Sequence, residues 1–160
     1  MYWSEALSSA IEVAIAIAGF SGIVAAVGRR GAGEWTPADQ LRLRMLLTAS
    51  GVSGAFAFLP FILLDTGLDP SLVWRVGSAT QGVWFVAISL YRRSQAIRMG
   101  ATFPLPIVFL AVYLSVIGAL LLNAAYLAAP WPYVVGVIVQ LYVAFMTFVQ
   151  LLLNSWHSKA

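Results

Sequence analysis

The stretch ALSSAIEVAIAIAGFSGIVAAV, residues 6–27, decides how the rest of the chain is read. At 1.5 Å per residue a helix of this length crosses ~30 Å of hydrocarbon. About two turns inside it sits one carboxylate, Glu12, roughly 9 Å below the outer hydrocarbon edge. A carboxylate at that depth must be hydrated, protonated or paired, which makes it a candidate functional residue.

The remaining sequence has the same character. Apolar residues make up 61% of the 160 positions and charged residues 9%, with a mean hydropathy of +0.89. A soluble domain carries about 25% charged residues. Four further apolar windows, 45–64, 72–91, 105–128 and 133–153, are each long enough to span a bilayer. Such segments must be helices, because an open strand leaves backbone groups unpaired in lipid. The fold class expected is therefore an all-α integral membrane protein. Residues 1–160 form a single transmembrane domain of five helices, at about 6–27, 37–64, 70–91, 105–128 and 132–153.

Charge sets the orientation. Arg29, Arg30, Arg42, Arg44, Arg92, Arg93, Arg98 and Lys159 fall on one side of a five-span chain, and only Arg75 on the other. That bias places the N-terminus outside and the C-terminus in the cytoplasm, as in a bacterial inner membrane. The net charge of +3 thus reports topology and contact with anionic lipid, and nucleic acid is not an expected partner. The N-terminus lacks the basic region and small-residue cleavage site of a signal peptide, so the first stretch is expected to be retained as a span.

Helix starts are legible. Thr36-Pro37-Ala38-Asp39 combines a Thr cap, Pro at the first helical position and an acid at the third. Asp69-Pro70 repeats the device, Pro104 and Pro106 open the fourth helix, and Trp131-Pro132 the fifth. Pro60 alone lies inside a span and predicts a kink. Trp3, Trp74, Trp131, Tyr2, Tyr126 and Tyr133 read as an outer aromatic belt, with Trp35, Trp156 and Tyr91 as the inner one.

Helices two and three also resemble helices four and five as a possible parallel repeat. Leu63-Leu64-Asp65 matches Leu121-Leu122-Asn123, and Val76-Gly77 precedes Gln81 as Val135-Gly136 precedes Gln140. The spacing is 16 positions from Asp65 to Gln81 and 17 from Asn123 to Gln140, so one gap aligns the halves. The alternative is coincidence within an apolar composition. If the repeat is real, Gln81 and Gln140 occupy equivalent depths.

Several residues could carry chemistry. Glu5, Ser9, Glu12, Ala16, Gly19, Ile23 and Ala26 share one helical face, polar in its outer half and small in its inner half. The cation expected to meet Glu12 is Arg75, and Arg75 has only Glu5, Glu12, Asp65 or Asp69 as acidic partners on its own side. Two readings of Glu12 stay open: an interhelical ion pair orienting the first and third helices, or a carboxylate handling protons or cations. A third is a shifted span boundary that leaves it among headgroups. With Asp65, Thr80, Gln81, Asn123 and Gln140 it would form a polar cluster confined to the outer half, suited to a vestibule. Each amide taken alone reads more simply as a hydrogen-bonding link between helices.

Small residues recur at four-residue steps: Ala14, Ala18, Gly22 and Ala26 on the first helix, and Ser50 with Gly54 and Gly51 with Ala55 on the second. Such faces dock helices within a protomer or protomers with one another.

Absences narrow the classes. With no cysteine and a single histidine, His157, no thiolate or bis-histidine centre is available, and no metal or cofactor is expected. No phosphate loop or nucleophile elbow appears, so the chain does not read as an enzyme. Two functions remain. One is a homo-oligomeric channel or transporter for protons or small cations. The other is a non-catalytic accessory or assembly subunit of a larger membrane complex.

Overall fold

The computed structural model describes residues 2–31, 37–98 and 107–157. It is about 95% helical, and no strand occurs among the described residues. The helices are α1 (Tyr2–Gly31), α2 (Pro37–Asp65), α3 (Pro70–Arg98), α4 (Ile107–Leu122) and α5 (Pro130–His157), with a π turn at Asn123–Leu127 continuing α4. Four stretches are long and apolar enough to cross a membrane: Tyr2–Val24, Gln40–Asp65, Leu110–Leu127 and Pro130–Gln150. This is compatible with a multi-pass membrane location. Helix α3 matches them in length but is more polar, because Arg75, Gln81 and the Arg92, Arg93 and Arg98 group dilute its apolar run. The expected five spans thus resolve into four by length and composition, and a fifth by length.

The ends of the helices follow from local chemistry. Proline begins α2, α3 and α5, where its missing N–H is one that the first turn leaves unpaired anyway. Asp69 caps α3: its Oδ1 accepts from the Ser71 N–H at 2.8 Å, from the Leu72 N–H at 3.4 Å and from the Ser71 hydroxyl. Helix α2 ends where the Thr66 N–H donates to Ile62 O and the Gly67 N–H to Leu64 O. Gly67 has φ +79°, a left-handed position that glycine adopts without a Cβ penalty. Thr36, Pro104, Pro106, Trp35 and Lys159 lie outside the described residues.

The chain divides into two compact units, with boundaries inside α2 and α5: Met1–Phe58 with Val137–Ala160, and Leu59–Gly136. In the first unit, α1 is two-faced. Leu7, Ala10, Ala14, Ile17 and Ser21 are buried at steps of three and four. Ala14 meets α2 at Gly54, where an added Cβ would lie 3.5 Å from the alanine methyl, an ordinary contact distance. The small-residue pair Ala14 and Gly54 therefore docks α1 on α2. Gly22 and Gly51 are exposed with nothing within 4 Å, and Ala18 is half-buried. Ala26 lies in α1 beyond the side chains that are described.

In the second unit, α3 and α4 are antiparallel. Phe85 stacks edge-on against Tyr113 at 5.0 Å, and the Tyr113 hydroxyl donates to Phe85 O. Leu120 and Leu121 pack beside Gly82, and Asn123 reaches Ser78. The first turns of α5 run in the same direction as α3: Gly77 faces the Tyr133 ring, and Gln81 faces Gly136. Trp74 and Tyr133 lie 6.0 Å apart and are buried, so these two aromatics belong to the core and not to a belt. The cause is Gly77, whose bare Cα opens the space the Tyr133 ring fills. Trp131, Tyr126, Tyr2 and Tyr91 are exposed, as anchors are.

Candidate functional site

The polar residues singled out in the sequence fall into two groups. Arg75, Gln81, Asn123 and Asp65 belong to the second unit, and Glu12 and Gln140 to the first.

Asn123 is the hub of the second unit. A helix that widens into a π turn bonds i to i+5, and here the Ala128 N–H donates to Asn123 O at 3.1 Å. Ala128 sits at φ +51°, a left-handed position costly for a residue with a Cβ, so neighbouring bonds must hold it. The fully buried Asn123 side chain supplies them. Its Nδ2 donates to Ser78 Oγ at 2.7 Å and to Ala129 O at 2.8 Å, and its Oδ1 accepts from the Ala129 N–H at 2.8 Å. One amide thus closes the turn between α4 and α5 and pins it to α3.

Arg75 grips the same turn. Its Nη1 donates to Ala125 O at 2.9 Å. A π turn leaves carbonyls without their usual helical donors, and a cation at the C-terminal end of a helix is favoured by the aligned backbone dipoles. The sequence counted only carboxylates as partners for this cation. Among the described residues of the second unit none ion-pairs with it, and the acceptor is a backbone carbonyl. Asp65 is exposed at the end of α2.

Gln81 is fully buried and engaged. Its amide lies so close to α5 that a Cβ on Gly136 would fall 2.7 Å from Oε1 and 3.0 Å from Nε2. Gly77 makes the reciprocal accommodation, since a Cβ there would lie 2.9 Å from Tyr133 Cε2. Two glycines on facing helices thus each receive the other helix's bulky group. The residue opposite Gln81 is Gly136, and Gln140 stands one turn further along α5.

The first unit presents its polar groups differently. Gln140 is 5% exposed, and neither Oε1 nor Nε2 has a hydrogen-bond partner. The other buried polar side chains of this unit, Ser21, Ser50 and Ser53, donate to the carbonyls of Ile17, Leu46 and Ala49 four residues back on their own helices. Glu12 is exposed. So are Glu5, Ser9, Ala16, Gly19 and Ile23, the other members of its face whose side chains are described. Nothing lies within 4 Å of a Cβ placed on Gly19. The face of α1 that carries the carboxylate is therefore uncovered along its described length. Glu12 and Arg75 belong to different units.

The chain matches no known family model, no curated protein and no solved structure.

Proposed function

We propose that this chain is a small homo-oligomeric membrane channel or transporter for protons or small cations, with its N-terminus outside and Glu12 as the titrating or cation-selecting group. One observation carries the reading: Glu12 lies on an exposed helical face inside a stretch apolar enough to span a membrane. A charged side chain near the bilayer centre is costly, and such residues face protein or water instead of lipid. The same face has Ala16 and Gly19 next to the carboxylate, with open space at Gly19, so another helix can approach closely. A second copy supplies that cover at matching depth, since a symmetric assembly repeats the same patch on each subunit.

The test is flux in proteoliposomes. Glu12→Gln, which keeps shape and removes the ionisable group, is expected to lower proton or cation flux at least ~10-fold. Unchanged flux removes Glu12 from the mechanism, and no flux under any imposed gradient refutes transport. The other reading, an accessory subunit of a larger complex, covers the same α1 face with an unrelated protein. It predicts a stoichiometric partner after gentle extraction and no symmetric homo-oligomer.

A further inference from the structure

We propose that Gln140 marks an internal water site in the first unit, and that its occupant is a hydrogen-bonded water relaying protons, not a bare metal cation. The two open atoms of its amide are chemically opposite: Oε1 accepts and Nε2 donates. A metal cation satisfies Oε1 and is repelled by the N–H groups, and an anion does the reverse. A molecule that both donates and accepts satisfies both, and water is the smallest. A buried polar site with neither end satisfied forfeits the hydration both ends had in the unfolded chain.

The buried polar groups of the unit are compatible with a proton-donating occupant. Ser21, Ser50 and Ser53 are buried in the same unit, and each already donates its hydroxyl proton to its own helix. Their oxygens keep lone pairs only, so they act as further acceptors. Among the described residues, the buried polar side chains of the first unit are thus three hydroxyls whose protons are already committed and the one open amide. A relay through it conserves composition. The water gains one O–H bond from the incoming proton as it releases another, and the amide neither gains nor loses a proton. The contrast with the second unit is internal evidence, because Asn123 is an equally buried amide whose polar atoms are hydrogen-bonded, and the buried Gln81 is engaged as well.

The relay role rests on the transport reading above, whereas the water site does not, and two measurements separate them. The first is the melting temperature of the full chain carrying Gln140→Met or Gln140→Leu. If water bridges the amide, both apolar replacements lose those bonds and the midpoint falls by roughly 5 °C. If the amide is dry, removing it relieves an unpaired buried dipole, the midpoint rises in both variants, and the water site is overturned. Met, unbranched and of similar length, guards against a packing artefact from Leu. The second is flux in proteoliposomes, read with a pH dye and with potassium. Protons are expected to cross and potassium not, with Gln140→Met reducing proton flux about 10-fold or more. Potassium flux equal to proton flux, or undiminished proton flux in the variant, overturns the relay. If the wild-type chain passes neither ion, transport fails and the melting result still decides the water site.

Discussion

Two buried amides, Asn123 in one unit and Gln140 in the other, show how differently the same kind of side chain can be used. Asn123 makes three hydrogen bonds of 2.7 to 2.8 Å and closes a turn. Gln140 is 5% exposed and bonded to nothing in the protein. The surrounding polar groups follow the same division. In the second unit Arg75 is satisfied by Ala125 O and the Gln81 amide is seated on Gly136, whereas in the first Glu12 faces outward. Saturated polar groups hold a structure, and unsaturated ones in an apolar setting leave room for something to bind. The contrast sets bonded polar groups in the second unit against an open amide and an exposed carboxylate in the first.

The hardest test of this division is Asn123→Ala. It strands the Ala129 N–H and C=O and releases a left-handed Ala128, at a cost of about 3 kcal/mol. The midpoint is expected to drop by roughly 10 °C in a thermal melt. On the proposed transport reading, flux per molecule is expected to persist where the variant remains folded, below its midpoint. Loss of flux without loss of stability would break the comparison by moving chemistry into the second unit.

A smaller effect sharpens it. Gly77→Ala forces a methyl against a buried tyrosine ring, and overpacking costs about 1–3 kcal/mol against a gain in helix propensity of about 1. Gly136→Ala meets the far end of a longer, unbranched glutamine side chain and not a ring. Gly77→Ala is therefore expected to lower the midpoint by a few degrees more than Gly136→Ala, measured side by side. The reverse order would mean that the Gln81 amide, not the Tyr133 ring, is the rigid element of that seam.

The smallest effect lies at the α3 cap. The Ser71 hydroxyl, with the Ser71 and Leu72 backbone N–H groups, holds the Asp69 carboxyl below its ordinary value of 3.8. A carboxyl whose pKa is lowered on folding adds stability above the unfolded value and loses it as pH falls through the folded one. Melting curves are thus expected to show a slight loss on acidification below about pH 4, absent in Asp69→Asn. Asp69 is fully exposed, so a large effect would point to a different group.

Much of this was legible from local signals. The starts at Pro37 and Pro70 follow from cap chemistry that needs only neighbours in sequence. What was hidden depends on distant partners. The burial of Trp74 and Tyr133 requires Gly77 opposite the tyrosine ring. The partner of Arg75 is a carbonyl near the C-terminal end of a helical run, and a count of carboxylates cannot find it. Gln81 and Gln140 follow the same Val-Gly motif at the same spacing, yet one is engaged and the other is not. Asn123 was the one available signal for the π turn, since an amide at a helix end is suited to collecting backbone groups.

The widened turn has a consequence for how the chain could have changed length. A π turn is an α-helix carrying one residue more than its pitch allows. The segment from Asn123 to Gln140 is one position longer than the one from Asp65 to Gln81, and the longer segment is the one that contains the π turn. Read as an insertion, the extra residue had nowhere to slide. Asn123 ties down the turn's near end by its bond to Ser78, and Arg75 fastens its middle at Ala125. A helix held at both places absorbs an added residue only by bulging between them. Deleting one residue from Ala124–Tyr126 is the corresponding reversal, and it is expected to remove the π turn.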